Sequence, residues 1–251
     1  MKKLLIANWK MELNEAETLD LVLNYKKRLK KITQVEIAFA PSCVYLKEVK
    51  NLLGRTHLQL AAQNVAAQAK GKYTGEISAA QIKELGCSYV IVGHSERRIK
   101  MNETDDMVNR KINQCYHNDL IPILCIGETL EEKNSGRSDS AIVRQLQAAI
   151  SKVDGLPENE LVIAYEPVWA VGTGQFLEAE NIFAFHRTIK RTVSSLYSEK
   201  FYNDKVRLLY GGSINSIIAK DYWVSEVLDG ILVGGASLDI EEMYNVALEG
   251  E

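Results

Sequence analysis

Leu161-Val162-Ile163-Ala164-Tyr165-Glu166-Pro167 is the stretch on which the fold turns. Its opening residues are apolar without alternation, as in a parallel strand covered on both faces, and it ends in a carboxylate followed by a residue with no N–H. Besides this run, Leu161 to Glu166, others of its kind lie on either side. They are Leu4 to Trp9, Val35 to Ala40, Leu58 to Gln63, Tyr89 to Gly93 and Leu120 to Gly127 before it, and Val206 to Gly211 and Gly230 to Gly235 after it. Between the runs lie stretches of helical periodicity, such as Ala16, Leu19, Leu23 and Leu29, or Met107, Val108, Ile112 and Cys115. Eight strand-then-helix units in 251 residues predict an α/β chain closed into one (β/α)8 barrel with a parallel sheet, a single domain over residues 1–251. An open doubly wound sheet is the competing architecture. It would more often carry a domain boundary, and no Pro/Gly/Ser-rich linker interrupts this chain.

Composition narrows the function classes. The 30 basic and 33 acidic side chains leave a net charge of −3, so no global field attracts nucleic acid or an anionic membrane, and an anionic ligand must be held by local features. The basic cluster Lys26, Lys27, Arg28, Lys30 and Lys31 reads as the solvated end of the first helix. Asn8, Trp9 and Lys10 cut short the apolar run at the amino terminus, and the seven-residue run Leu120 to Ile126 is too short to cross a bilayer, which predicts a cytoplasmic protein. Cys43, Cys87, Cys115 and Cys125 contain no CxxC pair and read as reduced, mostly buried thiols.

In a barrel of this kind, polar residues at the carboxyl ends of the strands converge on one mouth. Applied here, the rule gathers Asn8-Trp9-Lys10, Gly93-His94-Ser95-Glu96-Arg97-Arg98, Tyr165-Glu166-Pro167, Gly211-Gly212-Ser213 and Gly234-Gly235-Ala236-Ser237. Singly, Lys10, His94 and Glu166 could be a solvated lysine, a structural histidine and a rim ion pair; their coincidence points to a site. The two Gly-Gly turns each follow a strand and open onto a helix, where backbone N–H groups can face a phosphate. Gly172-Thr173-Gly174 is not a nicotinamide loop, since Leu177 stands where a third glycine belongs. His57 precedes a strand, and His117 and His186 fall in helices, so no metal site is expected. The connection from Asn64 to Ile77 exceeds ordinary βα loop lengths, which marks it as functional or an interface.

Asn8-Trp9-Lys10, Gly93 to Arg98, Cys125-Ile126-Gly127-Glu128, Ala164 to Gly174, Tyr210-Gly211-Gly212-Ser213 and Leu232 to Leu238 together resemble the triosephosphate isomerase family. The match runs in order through nearly the whole chain, and Ala164 to Gly174 is its most specific part. The resemblance implies a TIM barrel that interconverts glyceraldehyde 3-phosphate and dihydroxyacetone phosphate through an enediol. It further implies that Glu166 moves the proton and that neutral His94 polarises the carbonyl, the acid–base division this family itself exemplifies. Lys10 would stabilise the enediolate, Asn8 would hold Lys10 and a substrate oxygen, and Glu96 would support the lysine. Gly172, Ser213, Gly234 and Gly235 would give backbone N–H groups to the phosphate, and Cys125 would pack behind the glutamate. No cofactor is implied, because the proton returns to the same molecule.

The resemblance also gives the long loop a purpose. Tyr73-Thr74-Gly75-Glu76 is similar to a projecting tip that enters a second copy, with Thr74 buttressing Asn8 and His94 across a homodimer interface. The chain departs from the family at the far hinge of its lid, where Gln175-Phe176-Leu177 replaces Lys-Thr-Ala, and at Asp239, where a lysine is common. Phe176 and Leu177 can pack under the closed lid and stabilise it or crowd the hinge and leave it partly open, and the worth of burying a large apolar side chain favours the first. An isomerase of a longer phosphorylated sugar such as a tetrulose phosphate, and a catalytically silent binding homologue, are the competing functions. The intact set Asn8, Lys10, His94 and Glu166 argues against the second.

Overall fold

A computed structural model describes residues 1–156, 158–172 and 174–251; Thr173 of the Gly172-Thr173-Gly174 segment lies outside the described residues. The strands are β1 (Lys3–Asn8), β2 (Val35–Ala40), β3 (Gln59–Ala62), β4 (Tyr89–Val92), β5 (Ile121–Ile126), β6 (Leu161–Tyr165), β7 (Val206–Tyr210) and β8 (Gly230–Val233). They pair in parallel in chain order and close on themselves through β8 and β1. The seam admits only glycine at position 230, because a Cβ there would lie 1.9 Å from the Leu4 carbonyl oxygen. Several connecting helices begin at side-chain caps, including Asn14 with Glu17, Ser78 with Gln81 and Thr129 with Glu132, each closing a reciprocal capping box.

The two-residue period of the strands sorts the core into two shells. Leu4, Ile6, Ala38, Ala61, Ile91, Ile123, Cys125, Val162, Ala164, Leu209 and Leu232 fill the barrel, while Leu5, Ala7, Ile37, Val90, Val92 and Ile163 face the helices. Extending the inward parity to the carboxyl ends and beyond reaches Asn8, Lys10, Gln63, Glu166, Gly211 and Gly234. Extending it to the amino ends reaches Glu36, Gln59, Tyr89 and Arg207, which form a polar plug. Arg207 is buried and donates to Glu36 Oε2 at 2.8 Å, to the Tyr89 hydroxyl at 2.7 Å and to Glu160. Tyr89 in turn donates to Glu36 Oε1 at 2.5 Å.

Several sequence expectations need correction. Leu58 and Leu120 precede their strands, and Trp9, Gln63, Gly93, Gly127, Glu166, Gly211, Gly234 and Gly235 follow theirs, where the chain turns out to its loops; Gly235–Leu238 forms a 3-10 turn. The inward stripe of the first helix, Glu15–Leu29, is Thr18, Leu21, Val22, Tyr25 and Leu29, whereas Leu23 is half exposed. Tyr25 displaces the expected phase because its hydroxyl reaches the carbonyls of Ser237 and Asp239 at 2.8 and 3.1 Å. Lys26 is not simply solvated, since its ammonium donates to the Leu52 carbonyl at 2.6 Å. His117 caps the helix Asp105–Tyr116 rather than lying within it. Among the described residues, no helix is long and apolar enough to cross a membrane.

Removing the guanidinium of Arg207 strands Glu36 and Glu160 at the closed end of the barrel. Arg207→Ala should lower unfolding free energy by about 3 kcal/mol, the low end for a broken buried pair because both carboxylates keep some water. Chemical denaturation measures the loss, and turnover per folded molecule should stay unchanged.

Candidate active site

Lys10 follows β1 in a left-handed backbone conformation, φ +52°, which an ordinary side chain adopts only when its surroundings enforce it. Three groups do so. Its N–H donates to Asn8 Oδ1 at 3.2 Å, and its carbonyl accepts from Gln63 Nε2 at 2.7 Å and from Ser42 Oγ at 3.2 Å. The turn sends the ammonium across the mouth to Glu96 Oε1, 2.8 Å away. Burial alone would push the Glu96 carboxyl up, but the hydrogen bond and charge of Lys10, with Lys100 adding, hold it below the ordinary carboxylate range.

His94 caps the helix Ser95–Lys100, its Nδ1 accepting the Glu96 N–H at 3.3 Å. That bond leaves Nδ1 without a proton and puts the imidazole hydrogen on Nε2, which lies 3.4 Å from Glu166 Oε1. Glu166 is 1% exposed. Its Oε2 accepts the Ser95 N–H at 3.3 Å, while Oε1 and the Ser95 hydroxyl have no hydrogen-bond partner among the described residues. Gly211 makes room for the side chain, since a Cβ there would lie 2.8 Å from Glu166 Cγ. Cys125 sits beside it inside the barrel; burial pushes the thiol well up, and the neighbouring Glu166 adds to the effect.

A cavity of about 240 Å³ opens at this mouth, lined by Asn8, Lys10, His94, Gly172, Ser213, Gly234 and Gly235, among others. The structure therefore brings together the residues expected there, except that two do not line the cavity: Glu96 reaches it only through the Lys10 ammonium, and Glu166 is turned toward Ser95. The Lys10 ammonium lies 3.6 Å from where a Gly234 Cβ would be. Ser213 Oγ donates to the Ala170 carbonyl at 2.7 Å, tying the turn after β7 to the segment after β6. That segment is anchored at its start, where Trp169 Nε1 donates to Glu128 Oε1 at 2.8 Å beneath the Lys133 ammonium, 3.2 Å from the indole centroid. Phe176 is 45% exposed, so of the two bulky hinge residues only Leu177 packs on the core.

Thr74 is exposed. The loop is closed at its base by Ala66 N–H to Ile77 O at 2.8 Å, and its tip, residues 69–76, is exposed. Gln63 and Ser42 were missed by sequence reasoning; Gln63, a polar residue on inward parity just past β3, could have been found by the strand-end rule. Also missed was a buried network behind His94, in which Glu103 accepts the Gly93 N–H at 3.0 Å, Lys111 at 2.5 Å and Arg97 at 2.5 Å. Burial would raise the Glu103 carboxyl, but the cations hold it below the usual range. Among the described residues, no three of His, Cys, Asp and Glu are grouped so as to hold a metal ion.

A closed parallel barrel with a carboxylate, an imidazole and an ammonium gathered at its carboxyl-terminal mouth, beside glycine-lined turns, defines a (β/α)8-barrel enzyme. Sequence comparison is specific as to which. The family model described as triosephosphate isomerase matches residues 3–249. Proteins named triosephosphate isomerase are similar along nearly their whole length. The one from Dictyoglomus turgidum is 39% identical over 98% of both chains. The one from Endomicrobium trichonymphae is 41% identical over 96% of this chain and 95% of its own. The one from Treponema denticola is 38% identical over 100% of both. The chain belongs to the triosephosphate isomerase family, and is an isomerase.

The narrow space around the glutamate yields a prediction. Gly211→Ala should displace the Glu166 side chain and lower kcat by about 100-fold, as misplacing a reacting group by about 1 Å does, with little change in melting temperature. A coupled isomerase assay beside a thermal melt checks both.

Proposed function

We propose that the protein interconverts D-glyceraldehyde 3-phosphate and dihydroxyacetone phosphate, with Glu166 as the base. The observation that carries this is a buried carboxylate with one oxygen unpartnered among the described residues, 3.4 Å from the Nε2 of an imidazole that borders a small cavity. Rotated from Ser95 into the cavity, Glu166 takes a proton from the carbon beside the carbonyl and returns it to the neighbouring carbon. The electron pair left by the C–H bond becomes the enediolate. His94 donates from Nε2 to the carbonyl oxygen, and moves the proton between the two oxygens.

Lys10 faces the same charge. Its ammonium stabilises the enediolate, Asn8 holds the lysine backbone and a substrate oxygen, and Glu96 fixes the ammonium in place. The backbone N–H groups of Gly172, Ser213, Gly234 and Gly235 take the phosphate. Cover over the intermediate matters: in an open site the C–O bond to phosphate breaks, its electron pair leaves on inorganic phosphate, and the residual enol tautomerises to methylglyoxal. The same reading puts the enzyme among the cytoplasmic triose phosphates of glycolysis and gluconeogenesis, and makes it one catalytic domain.

A homodimer completes the proposal. The segments that follow β1 through β4 expose Met11, Val44, Tyr73, Ile99 and Met101, from 49% to 92%, along one side of the mouth. The 64–77 loop projects from the middle of that row, and a second copy would cover it, with Thr74 reaching the other mouth.

Glu166→Gln should lower kcat by at least 10²–10⁴-fold, the worth of a positioned general base, with an unchanged melting profile. Near-wild-type turnover would remove Glu166 from the reaction. Deleting residues 69–76 should give a monomer by sedimentation with poor activity; a fully active monomer would exclude a cross-subunit role for Thr74.

A further inference from the structure

Leu177 ends the segment that leaves β6, and both of its backbone polar groups are held by tyrosines. Its N–H donates to the Tyr210 hydroxyl at 2.9 Å, and its carbonyl accepts from the Tyr222 hydroxyl at 2.8 Å. The two rings are stacked, with centroids 4.5 Å apart and planes within 8°. Tyr210 ends β7 and Tyr222 lies on the next helix, Ser216–Trp223. Both therefore belong to the unit whose Gly211-Gly212-Ser213 turn lines the cavity. The Tyr210 hydroxyl passes so near this turn that a Cβ on Gly212 would meet it at 2.2 Å.

We propose that Tyr222 is a positioning residue: its hydroxyl, acting through the Leu177 carbonyl, fixes the far end of the lid against the phosphate-binding turn and so sets how well the enediolate is covered. The proposal rests on the isomerase reading and extends it. Holding the N–H alone would leave the peptide unit after Leu177 free to turn. Holding the carbonyl as well fixes both peptide units that flank the residue. This bears on the bulky hinge, because Leu177 packs on the core while Phe176 stays half exposed. Burial keeps the Tyr222 phenol above its ordinary range, with Tyr210 contributing, so the donor persists through neutral pH.

Tyr222→Phe removes the donor and keeps the stacked ring. Losing one hydrogen bond of ordinary strength corresponds to about a tenfold change in an equilibrium. The variant should therefore show kcat lowered by up to about tenfold, methylglyoxal per turnover raised several-fold, and faster hydrogen exchange at the Leu177 amide. Methylglyoxal per turnover is the deciding quantity, since a partly unfolded sample loses both products in proportion and leaves the ratio unmoved. An unchanged ratio overturns the proposal. If the unsubstituted chain does not interconvert triose phosphates, the isomerase reading fails, and Tyr222 is then judged on exchange alone. Leu177 exchange as slow in Tyr222→Phe as in the original chain overturns the clamp, and acceleration by about tenfold supports it.

Discussion

The seam between β8 and β1 is the constraint on which the site depends. Leu4 to Ala7 pair with Gly230 to Val233, and the Leu4 carbonyl fills the space where a side chain at 230 would stand. Closure at this register sets the end of the first strand beside the end of the last. The Lys10 ammonium, sent off by its left-handed turn, comes to rest next to Gly234 as a result. In the same strand order left unclosed, these two chain segments would lie at opposite edges, with the ammonium far from the glycine turns.

The two ends of the barrel treat polar groups differently. At the amino end Arg207 is shared among Glu36, Glu160 and Tyr89, and every partner gains a bond. At the carboxyl end Glu166 Oε1 and Ser95 Oγ are buried without a hydrogen-bond partner among the described residues. A buried polar atom left so costs about 1–3 kcal/mol. The cost falls at the mouth, where a carboxylate lightly held by one N–H is free to move toward a ligand.

Much of this was legible in the sequence, for reasons tied to particular residues. Continuous apolar runs such as Leu161 to Tyr165 report strands covered on both faces, and the strand-end rule finds Lys10, His94 and Glu166 from order alone. Helix phase was less legible: Tyr25 turns inward because its hydroxyl finds carbonyls on the Ser237–Asp239 segment, more than 200 residues away. The orientation of Glu166 was not legible at all, since it follows from a Ser95 N–H that only the fold brings near. Tyr222 escaped for a similar reason: it acts on the carbonyl of Leu177, 45 residues away, and nothing in the local sequence marks which carbonyl a side chain will meet. Gln63, by contrast, stood within reach of the strand-end rule.

Position 10 answers to two selections that pull apart. Judged as a site in the backbone, with φ at +52°, it suits glycine or asparagine better than lysine. Judged as a charge at the mouth, it needs the long cationic side chain that the turn makes awkward to place. Gln63, Ser42 and Asn8 are what make the second choice affordable to the fold. A library screened only for thermal resistance would drift away from lysine there, and one screened only for turnover would keep it, so the residue separates durability from chemistry within a single codon.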